Sequence, residues 1–562
     1  MQKIVECVPN FSEGRDKGVI NAITAEISGT DGAELLDVDP GADTNRTVVT
    51  MAGAPEGVLE AAFKAIKKAA ELIDMSRHAG AHPRFGATDV CPFVPVSGMT
   101  MDECVELAKR LGERVGRELG IPVYLYEHAA TRPDRQSLAD IRQGEYEALP
   151  EKHKDPGFKP DYGPAAFNKK SGVTAIGARQ FLVAYNVNLN TRDKKLAHEI
   201  ALNIREGGRS LRGEDGKFVR DENGEVVRQP GTLKAARAVG WYIDEYGQAQ
   251  VSINLINTSI TQPHVAFDEV VRQAEALGLR VTGSEIVGLI PLESMIAAGR
   301  HYIRKQGLWE GVPEREIVHI AIKSMGLADL SPFDPDEKII EYKLRKKTPS
   351  LIKMTVRDFL DTVSSDAPAP GGGSVAALSG ALSGGLSCMV ASLTRGKKGY
   401  EQAQVALEAV ADRAQGLKDA FLLDVDRDTD AFNQLMAAAR LPKKTDEQVA
   451  AREEAMQAAT RLAIDVPLSV LKRSLEVLEV ADAVADSGNV NSLSDAGVAA
   501  SAARTAAEGA YQNVLINLPG LTNAAERRKI LDQAQAVLSA ALAQSQRIWK
   551  GISDKLANNL EN

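Results

Sequence analysis

The densest group of residues able to move a proton is Ser76-Arg77-His78-Ala79-Gly80-Ala81-His82-Pro83-Arg84-Phe85-Gly86-Ala87-Thr88-Asp89-Val90-Cys91-Pro92. Its glycines and prolines predict a segment that is mostly loop, the setting in which functional groups are most often displayed. Three chemistries are open to it. His78 and His82 are four apart, as zinc ligands on one helix face would be, yet Gly80 and Pro83 oppose a helix and no HExxH glutamate lies between them. Both rings could instead be structural, each satisfied by hydrogen bonds. The third chemistry is a general acid and base at neutral pH beside Arg84 and Asp89, suited to group transfer.

A second group lies far downstream. Ala367-Pro368-Ala369-Pro370-Gly371-Gly372-Gly373-Ser374 precedes an apolar helical pattern, so successive backbone amides at a helix start could receive an anion, although flexible linkers look alike. All eight histidines (78, 82, 128, 153, 198, 264, 301 and 319) precede residue 320. Acid–base work here therefore falls to a carboxylate, a lysine, a tyrosine or water. Asp424, Asp426, Asp428 and Asp430 are the carboxylate candidates, and helical spacing separates them. Phe421, Val425, Phe432 and Leu435 form an apolar stripe and Asp428 fills the gap on it. Asp426 and Asp430 rotate to the far side as solvated charges, and Asp424 sits at the margin. Burial favours a neutral Asp428, and a like charge on Asp424 one turn away would push the same way.

The elements that must position these groups fall into two modules. The 562 residues suffice for three to four average domains, and 44% hydrophobic with 25% charged residues is an ordinary globular composition. A net charge of -9 argues against a dedicated nucleic-acid binder and favours small-molecule partners. Cys7, Cys91, Cys104 and Cys388 form no CxxC pair, which suits a reducing cytoplasm, and the N-terminus lacks the apolar stretch of a secretory signal. Short β-type runs (3–8, 34–38, 47–52, 123–126, 181–189, 250–255, 280–287) alternate with helices near 57–73 and 193–206. This predicts an α/β (α+β) module of two similar subdomains, 1–178 and 179–342. Residues 213–230 are polar, with a hairpin turn at Glu222-Asn223-Gly224-Glu225, and read as a surface insertion. A basic linker at 343–350 leads to an all-α helical bundle over 351–562, rich in Ala, Leu, Glu and Gln. Ser374–Thr394 carries no charge, but its Ser and Gly residues fit a buried bundle helix better than a membrane span.

Val5-Glu6-Cys7-Val8-Pro9-Asn10-Phe11-Ser12-Glu13-Gly14, Leu36-Asp37-Val38-Asp39, Thr44-Asn45-Arg46, the Arg77-to-Pro92 segment and Asp161-Tyr162-Gly163-Pro164 resemble glutamate formimidoyltransferase. Residues 367–377 with Arg395-Gly396-Lys397-Lys398 resemble formimidoyltetrahydrofolate cyclodeaminase and its relative methenyltetrahydrofolate cyclohydrolase. The resemblance covers essentially the whole chain apart from 213–230, and a bifunctional family carries both activities in one chain. It implies transfer of a formimidoyl group from N-formimidoyl-L-glutamate to N5 of tetrahydrofolate, then closure to 5,10-methenyltetrahydrofolate with release of ammonia. His82 matches the catalytic histidine, with Asn10, Asp39 and Arg84 in support. Gly163, Pro164, Ala165, Ala166, Phe167, Asn168, Lys169, Lys170, Ser171 and Gly172 match the folate-contacting stretch, where the two lysines could meet a folate glutamate tail. Asp428 matches the catalytic aspartate. Gly371, Gly372, Gly373, Ser374 and Lys397 are the folate-binding candidates of the second module, and Asp486-Ser487-Gly488-Asn489 with Ser494-Asp495 are expected near its pocket. Tetrahydrofolate, polyglutamylated, is implied as co-substrate with no metal, in a cytoplasmic homo-oligomer built from dimers. A second module acting mainly as a cyclohydrolase, or a non-catalytic folate-binding scaffold, is the alternative.

Overall fold

The structure, a computed structural model, describes residues 3–42, 44–80, 83–213, 215–244, 246–347 and 350–558. The chain divides into two compact units, Met1–His301 with Val318–Thr348, and Tyr302–Ile317 with Pro349–Asn562.

In the first unit, β1 (Ile4–Cys7), β2 (Asn10–Phe11), α1 (Lys17–Ser28), β3 (Ala33–Gly41), β4 (Arg46–Gly53), α2 (Pro55–Leu72) and β5 (Thr88–Ser97) make one β-α-β-β-α-β run. β1 and β2 act as one interrupted strand between β4 and β5, and β3 flanks β4. α3 (Met101–Arg114), β6 (Val123–Glu127), α4 (Leu138–Arg142), α5 (Glu145–Lys152) and β7 (Thr174–Ala178) extend this sheet, with β7 parallel to both β5 and β6. β8 (Val183–Leu189) and α6 (Lys194–Ile204) then start a second run. It continues, after the short pair β9 (Arg209–Ser210) and β10 (Arg228–Gln229), with β11 (Ala236–Ile243), β12 (Gln248–Leu255), α7 (Pro263–Ala276) and β13 (Val281–Val287). Its spatial order, β11-β12-β8-β13, repeats the β3-β4-β1/β2-β5 order of the first sheet. The two subdomains are thus one design used twice. Strand period and helix period explain the layering: Val5, Cys7, Val49, Met51 and Phe93 from one sheet face meet Val58, Ala62, Ile66 and Ala69 from one stripe of α2 in a single buried cluster.

Residues 213–230 form the expected surface excursion, closed at its base by β9 and β10 and turned where the Gly224 N–H meets the Asp221 carbonyl, with Gly224 at φ +80°. The reading of 76–92 as mostly loop requires a correction at its end: Thr88–Pro92 belongs to β5, buried throughout on both faces. Burial on both faces removes the alternation that marks a strand, and Pro92 and Pro95 mimic breakers. After α8 (Leu292–Lys305), α9 (Glu314–Ser324) and α10 (Pro335–Lys338), α11 (Ile340–Lys347) crosses the first half of the stretch read as a linker.

The second unit adds α12 (Val356–Val363), α13 (Gly372–Thr394), α14 (Gln404–Ala439), α15 (Asp446–Ser487), α16 (Leu493–Asn517) and α17 (Ala524–Asn558). α13 is long and apolar enough to cross a membrane by length and composition, yet 61% of that window is buried inside the unit, largely against α14 and α16. Its small residues permit the approach. A Cβ at Gly380 would stand 2.5 Å from the Phe421 ring of α14. Gly380→Ala is therefore expected to overpack this contact, cost about 1–3 kcal/mol and lower the unfolding temperature of the second unit, measured by calorimetry.

Candidate active sites

In the first unit, register places Asn10 beside Val48 on β4, and Asp39 on β3 beside the same Val48, so both side chains share one sheet face. Asp39 is exposed, and two strand spacings of roughly 4.8 Å separate it from Asn10, so the two do not touch. Arg46, two residues before Val48, also points to that face. Its Nε donates to Asn10 Oδ1 at 3.1 Å, while Asn10 Nδ2 donates to the Val8 carbonyl at 2.8 Å.

Between Asn10 and Phe11 the partner on β5 jumps from Val90 to Thr88, making Asp89 the extra residue of a β-bulge. Its fully buried carboxylate receives both Arg46 Nη1 and Arg142 Nη2, the latter at 2.7 Å, while its other oxygen takes the Phe85 N–H at 3.0 Å. Asp89 thus ties β4, α4 and the end of the histidine loop together. Removing it in Asp89→Ala would strand two buried guanidinium groups. We expect a loss of about 3–5 kcal/mol, read from denaturant unfolding of the first unit.

His82 lies outside the described residues. The flanks of its loop are anchored. The Asn45 side chain donates to the Ala79 carbonyl at 3.0 Å, and His78 Nε2 meets the Asn45 carbonyl at 2.9 Å. A carbonyl only accepts, so His78 carries its proton on Nε2 and leaves Nδ1 to take Arg84 Nε at 3.3 Å. Burial pushes the His78 pKa down, and the ring serves as a brace. Arg84 is a brace as well: its guanidinium is spent on Glu145, Glu147 and the His78 ring and carbonyl.

Residues 163–172 run alongside this loop. The Lys170 carbonyl takes the Met75 N–H, the Ser171 carbonyl the Ala87 N–H, and the Phe85 carbonyl the Val173 N–H. Phe167 lies 5.6 Å from Tyr146 and 6.2 Å from His153. The two lysines expected to meet an anion are both exposed, and Lys170 Nζ donates to the Glu71 carbonyl at 2.8 Å. Asn168 is turned inward, its Oδ1 accepting from the Ser171 N–H.

In the second unit, α13 begins immediately after Gly371, and Ser374 Oγ donates to Asp428 Oδ2 at 2.9 Å. A Cβ at Gly373 would lie 2.1 Å from Asp428 Oδ1, so only glycine lets the carboxyl come this close to the helix start. Asn513 of α16 is adjacent to Gly372. Burial raises the Asp428 pKa, and hydrogen bonds from the Ser374 hydroxyl and backbone N–H oppose it.

The other aspartates require corrections. Asp424 is not marginal: it is 1% exposed at the centre of the buried stripe, held by Arg473 and, at 3.2 Å, by Arg427. Its charge is therefore compensated and does not act on Asp428. Asp426 is not a freely solvated charge either, since it accepts from Ser350 Oγ at 2.6 Å and the Leu351 N–H at 2.7 Å. Asp430 is exposed, as expected.

Lys397 does not join Gly371–Ser374. The 23 residues of α13 separate them by roughly 34 Å at 1.5 Å per residue. Residues 486–495 also lie at the Lys397 end, where the Asn489 N–H donates to Thr394 Oγ1 at 2.8 Å and the Val490 N–H to the Tyr400 hydroxyl at 3.1 Å. Among the described residues, no group of three or more His, Cys, Asp or Glu could hold a metal ion. Arg46, Arg142 and Arg473 were missed as site partners. Only Arg46 carried a signal, standing inside the Thr44-Asn45-Arg46 motif.

A duplicated α+β unit and a helical unit, each with its own polar centre, define a bifunctional enzyme. The model of the formiminotransferase domain's N-terminal subdomain matches residues 4–179, that of the formiminotransferase domain 184–345, and that of formiminotransferase-cyclodeaminase 355–536. The mouse formimidoyltransferase-cyclodeaminase is 43% identical over 97% of this chain and 98% of its own. The glutamate formimidoyltransferase of Streptococcus pyogenes is 42% identical over 54% of this chain and 94% of its own. The methenyltetrahydrofolate cyclohydrolase of Methylorubrum extorquens is 39% identical over 36% of this chain and 97% of its own. The chain belongs to the formimidoyltransferase-cyclodeaminase family.

Proposed function

We propose that the first unit moves the formimidoyl group of N-formimidoyl-L-glutamate to N5 of tetrahydrofolate, and that the second closes the product to 5,10-methenyltetrahydrofolate and ammonia. In the first step N5 bonds to the amidine carbon and the carbon–nitrogen bond to glutamate breaks. His82 takes the proton that N5 loses and returns it to the departing glutamate nitrogen, and supporting roles are assigned to Asn10, Asp39 and Arg84.

In the second step N10 bonds to the same carbon. The amidine reacts in its protonated form, as C=NH2+: Asp428 gives a further proton to that nitrogen, the carbon–nitrogen bond breaks to release ammonia, and Asp428 regains a proton from N10, leaving the positive charge on 5,10-methenyltetrahydrofolate. The observation that carries this reading is the Asp428 carboxyl held by Ser374 at the start of α13, in a setting where burial and hydrogen bonding oppose each other. The pterin and its tail are assigned to 163–172 in the first unit, and to Gly371–Ser374 and Lys397 in the second. A tail of several glutamates would suit the separation of those last two groups. The boundaries 1–178, 179–342 and 351–562 are proposed as the functional divisions, in a cytoplasmic protein.

A homo-oligomer is part of the same reading. Val375, Leu382, Met389 and Leu393 on α13 recur at helical spacing, each at least 37% exposed, which suits burial against a second copy. A cyclohydrolase reading of the second unit is favoured by the Methylorubrum relative, whose length matches that unit alone. A two-stage assay with formimidoyl-glutamate and tetrahydrofolate separates the two. Stoichiometric ammonia with methenyltetrahydrofolate absorbance supports cyclodeamination, and hydrolysis of methenyltetrahydrofolate without ammonia release from the formimidoyl compound supports the alternative.

A further inference from the structure

We propose that α5 is a clamp that fixes the folate-contacting stretch against the histidine loop, with Tyr146 and His153 as its positioning residues in the first reaction; this rests on the transfer reading above. Seven positions separate the two residues, nearly two helical turns, so both side chains leave one side of α5. The Tyr146 hydroxyl donates to the Lys169 carbonyl at 2.6 Å, and His153 Nδ1 donates to the Ala165 carbonyl at 2.7 Å. Phe167 lies between those two carbonyls in sequence, and its ring is approached by both Tyr146 and His153, at 5.6 and 6.2 Å between centroids. The middle of the stretch is thus held at every second residue from 165 to 169.

The start of the same helix holds the other segment. The Tyr146 N–H donates to the Arg84 carbonyl at 2.9 Å, while Glu145 and Glu147 take the Arg84 guanidinium at 3.2 and 2.8 Å. Tyr146 therefore bonds to the histidine loop through its backbone and to the folate-contacting stretch through its side chain. Glu145 stands at φ +57°, and Asn45, which grips the Ala79 carbonyl on the other flank of the loop, at φ +49°. Left-handed backbone is uncommon outside glycine and persists where the surroundings impose it, which concentrates it at functional sites. Transfer needs N5 of the pterin and the imidazole at a fixed separation, and a misplacement of about 1 Å can cost on the order of 100-fold in rate. The bridge through α5 sets that separation.

Tyr146→Phe deletes one hydroxyl and keeps both the ring and the backbone bond to Arg84, so the fold should survive. One hydrogen bond of ordinary net strength corresponds to about fivefold, and kcat/KM for tetrahydrofolate is expected to fall by about that factor, with KM for formimidoyl-glutamate changed less than about twofold. His153→Phe should behave alike, and the double variant should lose more than either. Hydrogen exchange reads the bridge itself. In the parent protein tetrahydrofolate should slow amide exchange in 163–172 and also in Ser76–Gly80 and Arg84–Gly86, and Tyr146→Phe should keep the first protection and weaken the second. Unchanged kcat/KM for tetrahydrofolate in both folded variants overturns the clamp, as do equal penalties for the two substrates, the mark of a general loss of folded enzyme. Should the variants not fold, the parent protein decides: protection confined to 163–172, or found in neither segment, overturns the clamp. If tetrahydrofolate protects both segments yet no formimidoyl group is transferred, the transfer reading fails and the clamp stands.

Discussion

Asp428→Asn should halt the second reaction and leave the first intact, so that 5-formimidoyltetrahydrofolate accumulates in the two-stage assay. Asparagine preserves shape and still accepts from Ser374, so the fold should survive while the exchangeable proton is lost. General acid–base steps are worth about 10²–10⁴-fold, and a loss of that size in ammonia release is expected. The pH profile should agree. Burial raises the Asp428 pKa, so its protonated form persists to higher pH than that of an exposed aspartate, and the rate should fall as rising pH removes that proton. Unchanged ammonia release by the folded variant would remove Asp428 from the mechanism.

His82→Ala should produce the opposite pattern. Transfer from formimidoyl-glutamate should drop by about 10²–10⁴-fold, while 5-formimidoyltetrahydrofolate supplied directly is still closed at the parent rate. The other imidazole of the loop offers no substitute, because both nitrogens of His78 are occupied by the Asn45 carbonyl and Arg84. A folded variant that lost both activities would contradict two independent centres.

Much of the helical unit was legible because its periodicity is long and uninterrupted. Asp428 stood out as a carboxylate on an apolar stripe without any tertiary information. The error over Asp424 has a simple origin. Helical spacing carries the apolar stripe through Phe432 and Leu435, whereas the buried line runs through Leu417, Phe421, Asp424, Val425 and Ala431. A buried aspartate reads as a surface charge until its partner is known, and Arg473 lies 49 residues further on. The resemblance pairs Lys397 with the glycine turn as folate-binding candidates but says nothing of the distance between them, and the rigid helix α13 holds them apart.

The first site was legible only as a set of motifs. Asn10, Asp39 and the histidine loop could be singled out by residue type, but their distribution over three strands depends on register, which a single bulge resets. Asp89 has no sequence feature marking it as the extra residue of that bulge, and nothing links it to Arg142, 53 positions away.

From the residues alone came the two-module plan, a candidate proton carrier for each module and the family, because periodicity, composition and short motifs are local properties of a chain. Which charges are paired, with which partners, and which carboxyl meets a helix start were decided only on folding. Those outcomes depend on contacts between residues far apart in sequence, and on burial, which turns an ordinary charge into one that must find a partner.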